Sequence, residues 1–345
     1  MRKALTLLMY FAVLNHALPM SRQSAESRVL FPVSRDNVIE YDSNKVGFID
    51  STGELVIGFK FYSASPFSEG LAHVKVTKDA KDGYIDTTGQ MVIEPQYERA
   101  FPFIEGRAQV RVDGKWGFID RGGKLVVTPS FNTSSNFREG LAAVRWLDKW
   151  GYINRDGKMV IARRFEQAND FAEGLAAVIK GGMLGYIDKV GKWVIQPRFE
   201  PMPSLTDALT LPNFSNGLAV IQHRNRYGYI DKTGSIVVEP QFERAERFSE
   251  GLAVVKVNEK AGYINQEGSL VITPQFEEAR AFSEGLAGVK IKGKWGFINV
   301  SGEIVIPAQF DTVMLFTDGL AQVTAGSKSG YINHTGKYLW VSTQS

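Results

Sequence analysis

Cysteine is absent from all 345 residues. The chain therefore forms no disulfide, offers no thiolate as nucleophile or metal ligand, and has no amino-terminal Cys to carry a lipid. Histidine is scarce, and the three beyond the amino-terminal stretch, His73, His223 and His334, fall at unrelated places in the repeat described below. The array does not bring them into register, and each is expected at the surface. No charge of one sign dominates: 40 basic and 37 acidic residues leave a net charge of +3, interleaved rather than gathered into the basic stripe that nucleic-acid binding uses. HExxH, a phosphate-cradling glycine loop and a nucleophile elbow are missing too. The expectation is a chain that is not an enzyme and uses no cofactor or metal.

No run of apolar residues reaches the roughly 20 needed to cross a bilayer. The longest, Ala4 to Leu14, is broken only by Thr6 and follows Arg2 and Lys3. A basic start, a short apolar core and small residues soon after describe a secretory signal peptide over about residues 1–25. Cleavage is expected after Ala17 or Ala25, which places the mature protein in the periplasm or outside the cell. The alternative is an uncleaved amphiphilic start.

Most of what remains is one word repeated. Glycine, an aromatic, isoleucine and Asp or Asn recur nine times, from Gly47-Phe48-Ile49-Asp50 to Gly330-Tyr331-Ile332-Asn333. The glycines are spaced by 36, 34, 34, 34, 43, 34, 34 and 34 residues. A fixed period of this size marks a repeat architecture in which neighbours complete each other's core. The chain divides into a leader over 1–25, repeats one to five over 28–200, an irregular proline-bearing insertion at 201–212, and repeats six to nine over 213–345. The insertion is the one long loop that the repeat does not dictate, and it is a candidate joint.

Each unit reads as a three-stranded meander. In the eighth, Leu286–Val289 opens the first strand, Lys292-Gly293 turns the chain, Lys294–Asn299 is the second strand, and Ile304–Ile306 lies in the third. The turn between second and third strands is always Asp or Asn, two residues, then Gly, as in Asp50-x-x-Gly53 and Asn299-x-x-Gly302. The side chain accepts backbone hydrogen bonds while glycine takes the positive φ, so these acids read as turn formers rather than calcium ligands. The third strand is apolar at consecutive positions, Leu55-Val56-Ile57 or Leu270-Val271-Ile272, which predicts cover on both faces.

Several columns recur. One ring follows the second-strand glycine, one follows the third strand (Phe61, Tyr97, Phe131 onward), and one lies in the return loop (Phe67, Phe103, Phe137 onward). Rings this regular predict packing between units. An alanine recurs in the first strand, from Ala72 to Ala321, at a place expected to face a neighbour closely. Acids precede the return-loop glycine (Glu69, Glu105, Glu139, Glu173, Glu250, Glu284). They repeat one environment, whereas glycosidase chemistry needs two distinct ones.

Gly114-Lys115-Trp116-Gly117 and Gly293-Lys294-Trp295-Gly296, with Lys149-Trp150-Gly151 close behind, resemble the signature of the bacterial WG-repeat (KWG-repeat) proteins, and the resemblance covers about residues 28 to 345. It implies an all-β repeat protein, frequently exported, and brings no catalytic residues with it. The position before the glycine is variable: Val46, Asp82, Trp116, Trp150, Leu184, Tyr227, Ala261, Trp295 and Ser329. The polar members suggest exposure, which makes Trp116, Trp150, Tyr227 and Trp295 the candidate platform for a ligand or partner. The opposing reading is that these rings pack wherever a neighbour leaves room.

The expected fold is an all-β tandem array of about nine 34-residue three-stranded units, open and elongated, with a closed propeller-like ring as the alternative. Nine three-stranded units sit poorly with the usual four-stranded blades in rings of four to eight. The expected function is a non-catalytic exported scaffold for protein partners, with no nucleic acid and no integral membrane segment in the mature chain. The alternatives are a cell-envelope glycan binder using the aromatic column and, more remotely, a hydrolase seated in 201–212.

Overall fold

Consecutive hairpins build nine separate antiparallel sheets, one per repeat, in the computed structural model, which describes residues 29–35, 46–202 and 211–342. The eighth sheet consists of Glu278–Ala279, Leu286–Ile291, Lys294–Asn299 and Ile304–Phe310, hydrogen-bonded in that order. The turn chemistry is as the sequence predicts. Asp50 Oδ1 accepts the N–H groups of Thr52 at 2.9 Å and Glu54 at 3.1 Å, and Gly53 has φ of 91°.

The second-strand glycine has a steric reason. The third strand bulges over it, so that Trp116 pairs with Phe131 and Phe118 with Val127 while Gly117 is skipped. A Cβ at Gly117 would lie 2.5 Å from the Val127 carbonyl oxygen. No side chain fits there.

Sheets pack face to face, and nearly every column of the repeat is spent on the seam. The second-strand ring of one sheet meets the return-loop Phe of the next at almost constant geometry: Tyr84–Phe103 at 5.0 Å, Phe118–Phe137 at 4.8 Å, Tyr263–Phe282 at 4.9 Å between centroids. Where the ring is Tyr, its hydroxyl donates to a backbone carbonyl across the seam, as from Tyr84 to Phe101 and from Tyr152 to Asn169. The first-strand alanines are buried, and the turn glycine of each sheet backs onto the third strand of the sheet before it, Gly89 on Ile57 and Gly336 on Ile306.

The same seam joins the last sheet to the first. Phe31 and Tyr331 lie 5.5 Å apart, Tyr331 Oη donates to the Pro32 carbonyl at 3.0 Å, and Gly53 backs onto Leu339. Phe31, Val33, Ile49, Leu320 and Tyr331 share one buried cluster. The molecule is a closed nine-bladed β-propeller, and the open, elongated array expected from sequence is incorrect. A repeated head-to-tail contact generates a ring whenever its rotation closes, and here it closes after nine steps. The strand count that argued against closure was also short by one. Seven of the nine sheets carry a fourth strand ahead of the first, and in six of them it is only two residues long, such as Arg99–Ala100, too brief for a sequence period to show.

The third strand was misread as well. In eight blades its third residue is buried (Ile57, Ile93, Val127, Ile161, Ile195, Val238, Ile272, Ile306), but one or both residues before it face solvent; in the ninth, Tyr338, Leu339 and Trp340 are all half-buried. This strand is the exposed edge of its sheet, so cover comes only from the inward side.

Candidate functional site

The candidate rings hold equivalent places on their blades, each opposite a ring of the third strand: Trp116 with Phe131, Trp150 with Phe165, Tyr227 with Phe242, Trp295 with Phe310. Three are half-buried, and Trp295 is only 6% exposed. Trp116 rests 5.3 Å from Phe101, while the Arg280 guanidinium covers the Trp295 ring at 4.9 Å. The four rings pack into four different seams.

Exposure was inferred from the polar residues in this column, and that inference fails at Asp82. Asp82 is 4% exposed and accepts the Ala100 N–H of the next blade at 2.7 Å through Oδ2. Burial raises its pKa against the pull of that bond and of Lys75 and Arg99. A carboxylate is accommodated because it meets a backbone donor, not because it meets water.

The acid column is a clasp. Each acid sits at positive φ in its turn and bonds the matching turn of the following blade. Glu105 takes the N–H groups of Glu139 at 2.6 Å and Gly140 at 2.8 Å, Glu250 takes those of Glu284 and Gly285, and Asn216 serves the same purpose toward Gly251. A cation from the neighbouring blade often joins, as Arg155 on Glu105, Lys189 on Glu139 and Lys232 on Glu173. These acids are engaged with structure rather than poised for acid–base chemistry.

The histidines are apart, as expected, but not all at the surface. His223 is exposed beside Glu200, and His334 stacks on Phe316 at 4.5 Å with Nε2 3.0 Å from Glu284. His73 is largely covered next to Tyr84, and burial lowers its pKa to about 4. Among the described residues, no group of three or more His, Asp or Glu side chains is placed to hold a metal ion. No described helix is long and apolar enough to cross a membrane.

Most of the insertion, residues 203–210, lies outside the described residues, as do the leader and its cleavage sites. Its two ends are docked. Leu211 is buried in the core between blades 5 and 6, Met202 packs on the next core, and Pro212 accepts the Tyr186 hydroxyl.

Sequence reading missed one surface. The exposed third strands carry apolar side chains around the ring: Leu55, Val92, Leu125, Val160, Val194, Val237, Val271 and Val305, the last 42% exposed. The signal was present as consecutive apolar residues, but it was attributed to two-sided cover.

A profile for the WG containing repeat matches residues 47–78, 83–116, 116–149, 150–183, 185–201, 227–260, 262–295 and 295–328. No curated protein matches the sequence. Among solved structures, the fold is similar to a crystal structure of a eukaryotic initiation factor, with a TM-score of 0.65 and 11% identity over 91% of this chain and 96% of that one. Fainter likenesses include BamB from Moraxella catarrhalis (TM-score 0.43, 9% identity, 86% of this chain and 95% of that chain) and AztD from Citrobacter koseri (0.41, 12%, 80% and 94%). At these identities the likeness is one of fold alone.

Proposed function

This chain belongs to the WG-repeat family, and on that premise we propose that it is an exported, non-catalytic propeller that serves as a scaffold for protein partners. The observation that carries the reading is the apolar girdle. Eight of the nine blades present an exposed edge strand with one or two apolar side chains near half exposure, Ile304 at 58% and Val237 at 42%. Isolated exposed apolar residues mean little, but a set repeated around a ring is the kind of surface that partners cover. Free sheet edges also offer backbone groups to an added strand.

Export rests on the leader pattern at Arg2, Lys3 and Ala4–Leu14. Absence of catalysis rests on the repeated acids and rings being accounted for by the seams. The glycan alternative gains no support from the geometry, because rings that stack a sugar need an open face and Trp295 has its face under Arg280.

The experiment compares the wild type with Val237→Glu/Val271→Glu, two girdle positions on adjacent blades, as bait for envelope proteins of the producing cell. A partner retained by the wild type and lost by the doubly charged variant, with both baits equally folded, supports the reading. A partner set that is identical for both baits contradicts it. A glycan array on the wild type and on Trp116→Ala/Trp150→Ala tests the alternative.

A further inference from the structure

The position before the second-strand glycine varies around the molecule, and blade 7 carries alanine, the smallest residue found there. In blades 3, 4 and 6 the position before the second-strand glycine holds a ring (Trp116, Trp150, Tyr227); blade 7 holds Ala261. A cavity of about 200 Å³ opens there, lined among others by Glu246, Lys256, Ala261, Ala279, Arg280 and Trp295.

Blade 2 shows what this place accepts. There the residue equivalent to Ala261 is Asp82, whose carboxylate takes the Ala100 N–H of blade 3. The short strands of blades 3 and 8 share one register. Ala100 faces Val110 and Ala279 faces Val289. The flanking bonds from Glu98 to Arg111 and from Phe101 to Gln109 are repeated from Glu277 to Lys290 and from Arg280 to Gly288. The Ala279 N–H therefore points to the place where Ala261 provides no acceptor.

Charged side chains replace neutral ones around that place. Where other seams carry Ser65, Phe101, Ser135, Asn169 or Met314, these blades carry Glu246 and Arg280. Arg280 Nε is buried without a hydrogen-bond partner. The Glu246 carboxylate makes no hydrogen bond, its nearest cation being Arg244 at 3.9 Å. The cavity's other acids are engaged, Glu277 with the Gly293 N–H and Glu278 with Lys290. Arg280 also covers the Trp295 ring, but the other seams are built with neutral residues at this position and need no Glu246–Arg280 set.

We propose that the blade 7–8 seam binds a small organic carboxylate that carries a hydrogen-bond donor of its own, of the amino-acid or hydroxy-acid class. Its carboxylate takes the place that Asp82 fills in blade 2, accepting from Ala279 N–H and Arg280 Nε–H, and its donor pairs with Glu246. Partial burial raises the pKa of Glu246 against the pull of Arg244, Arg280 and Arg247. A buried donor without a partner is costly, and Arg280 Nε is one, whereas the Glu246 side chain is 37% exposed; a ligand that satisfies Arg280 and pairs with Glu246 is favoured over water.

The test titrates the full chain at pH 7 with glycine and with lactate, following tryptophan fluorescence and the melting midpoint, with ethylamine and sodium chloride as controls. A saturable response to glycine or lactate by about 50 mM, roughly −2 kcal/mol or better, and none to either control is expected. Ala261→Asp supplies the carboxylate internally, so it should melt higher than wild type without ligand and lose the response. Arg280→Met should weaken binding at least tenfold, and it serves if Ala261→Asp does not fold. Absence of a saturable wild-type response, an equal response to ethylamine or chloride, or an unchanged response in both variants overturns the proposal.

Discussion

Replacing Glu105 with alanine should loosen the seam between blades 3 and 4 by about 2–3 kcal/mol. The two carboxylate oxygens take the Glu139 and Gly140 N–H groups and the Arg155 guanidinium, with Glu105 24% and Arg155 48% exposed in their side chains. A hydrogen bond to a charged group contributes roughly 1.5–3 kcal/mol, and water recovers part of that at a turn near the surface. The half-exposed arginine contributes less than about 1 kcal/mol. The pH dependence separates this interaction from mere loss of bulk. Burial pushes the Glu105 pKa up, but Arg155 and the two N–H groups outweigh it and hold the pKa below the ordinary range. A depressed carboxylate contributes stability above its unfolded pKa of about 4.3, and that contribution is lost as pH falls through the folded value. Urea unfolding of wild type and Glu105→Ala should thus differ at pH 7 and converge in the acid limb where both still fold. An unchanged urea midpoint at pH 7, or a difference independent of pH, would refute the clasp.

Two further outcomes follow from the seams. Ala253 is buried against the preceding blade, so Ala253→Leu should overpack the contact and cost roughly 1–3 kcal/mol; an unchanged melting midpoint would show open space. His73 has its pKa lowered to about 4 by burial, so between about pH 6.5 and 4 only the unfolded chain takes up its proton, and stability falls by up to roughly 3 kcal/mol as the pH drops. His73→Gln, the residue that stands at the equivalent places as Gln109 and Gln322, should flatten that slope relative to wild type; parallel stability–pH curves for the two proteins would count against it.

Local structure was legible because each recurring residue answers a local demand. The turn acids, the turn glycines and the second-strand glycine have steric or hydrogen-bonding reasons that one repeat displays by itself. Ring pairs such as Tyr152 and Phe171 were legible as packing, since a separation of 19 residues recurs along the chain except across the insertion, where Tyr186 meets Phe214. Closure was not legible. It depends on a small rotation at each seam, summed over nine seams, and no residue encodes that sum. Phe31, where other blades have alanine, meets Tyr331 at the final seam, but nothing in the sequence shows that these two residues face each other. Exposure was misread at Asp82, where the structure supplies the Ala100 N–H rather than water; Trp116, Trp150 and Tyr227 are half-buried, and only Trp295 is covered. The third strand was misjudged because a blade edge and a covered strand share the same apolar run.

The closed ring is tested most directly by a distance across the final seam. The chain has no cysteine, so two can be introduced at exposed Glu54 and Lys337, beside the contact of Gly53 with Leu339, and spin-labelled for pulsed electron resonance. A single short distance, below about 25 Å with label arms included, is the result that closure predicts. In an open stack of sheets about 10 Å apart, the labels would stand on the order of 80 Å from each other, and such a distance would contradict the ring.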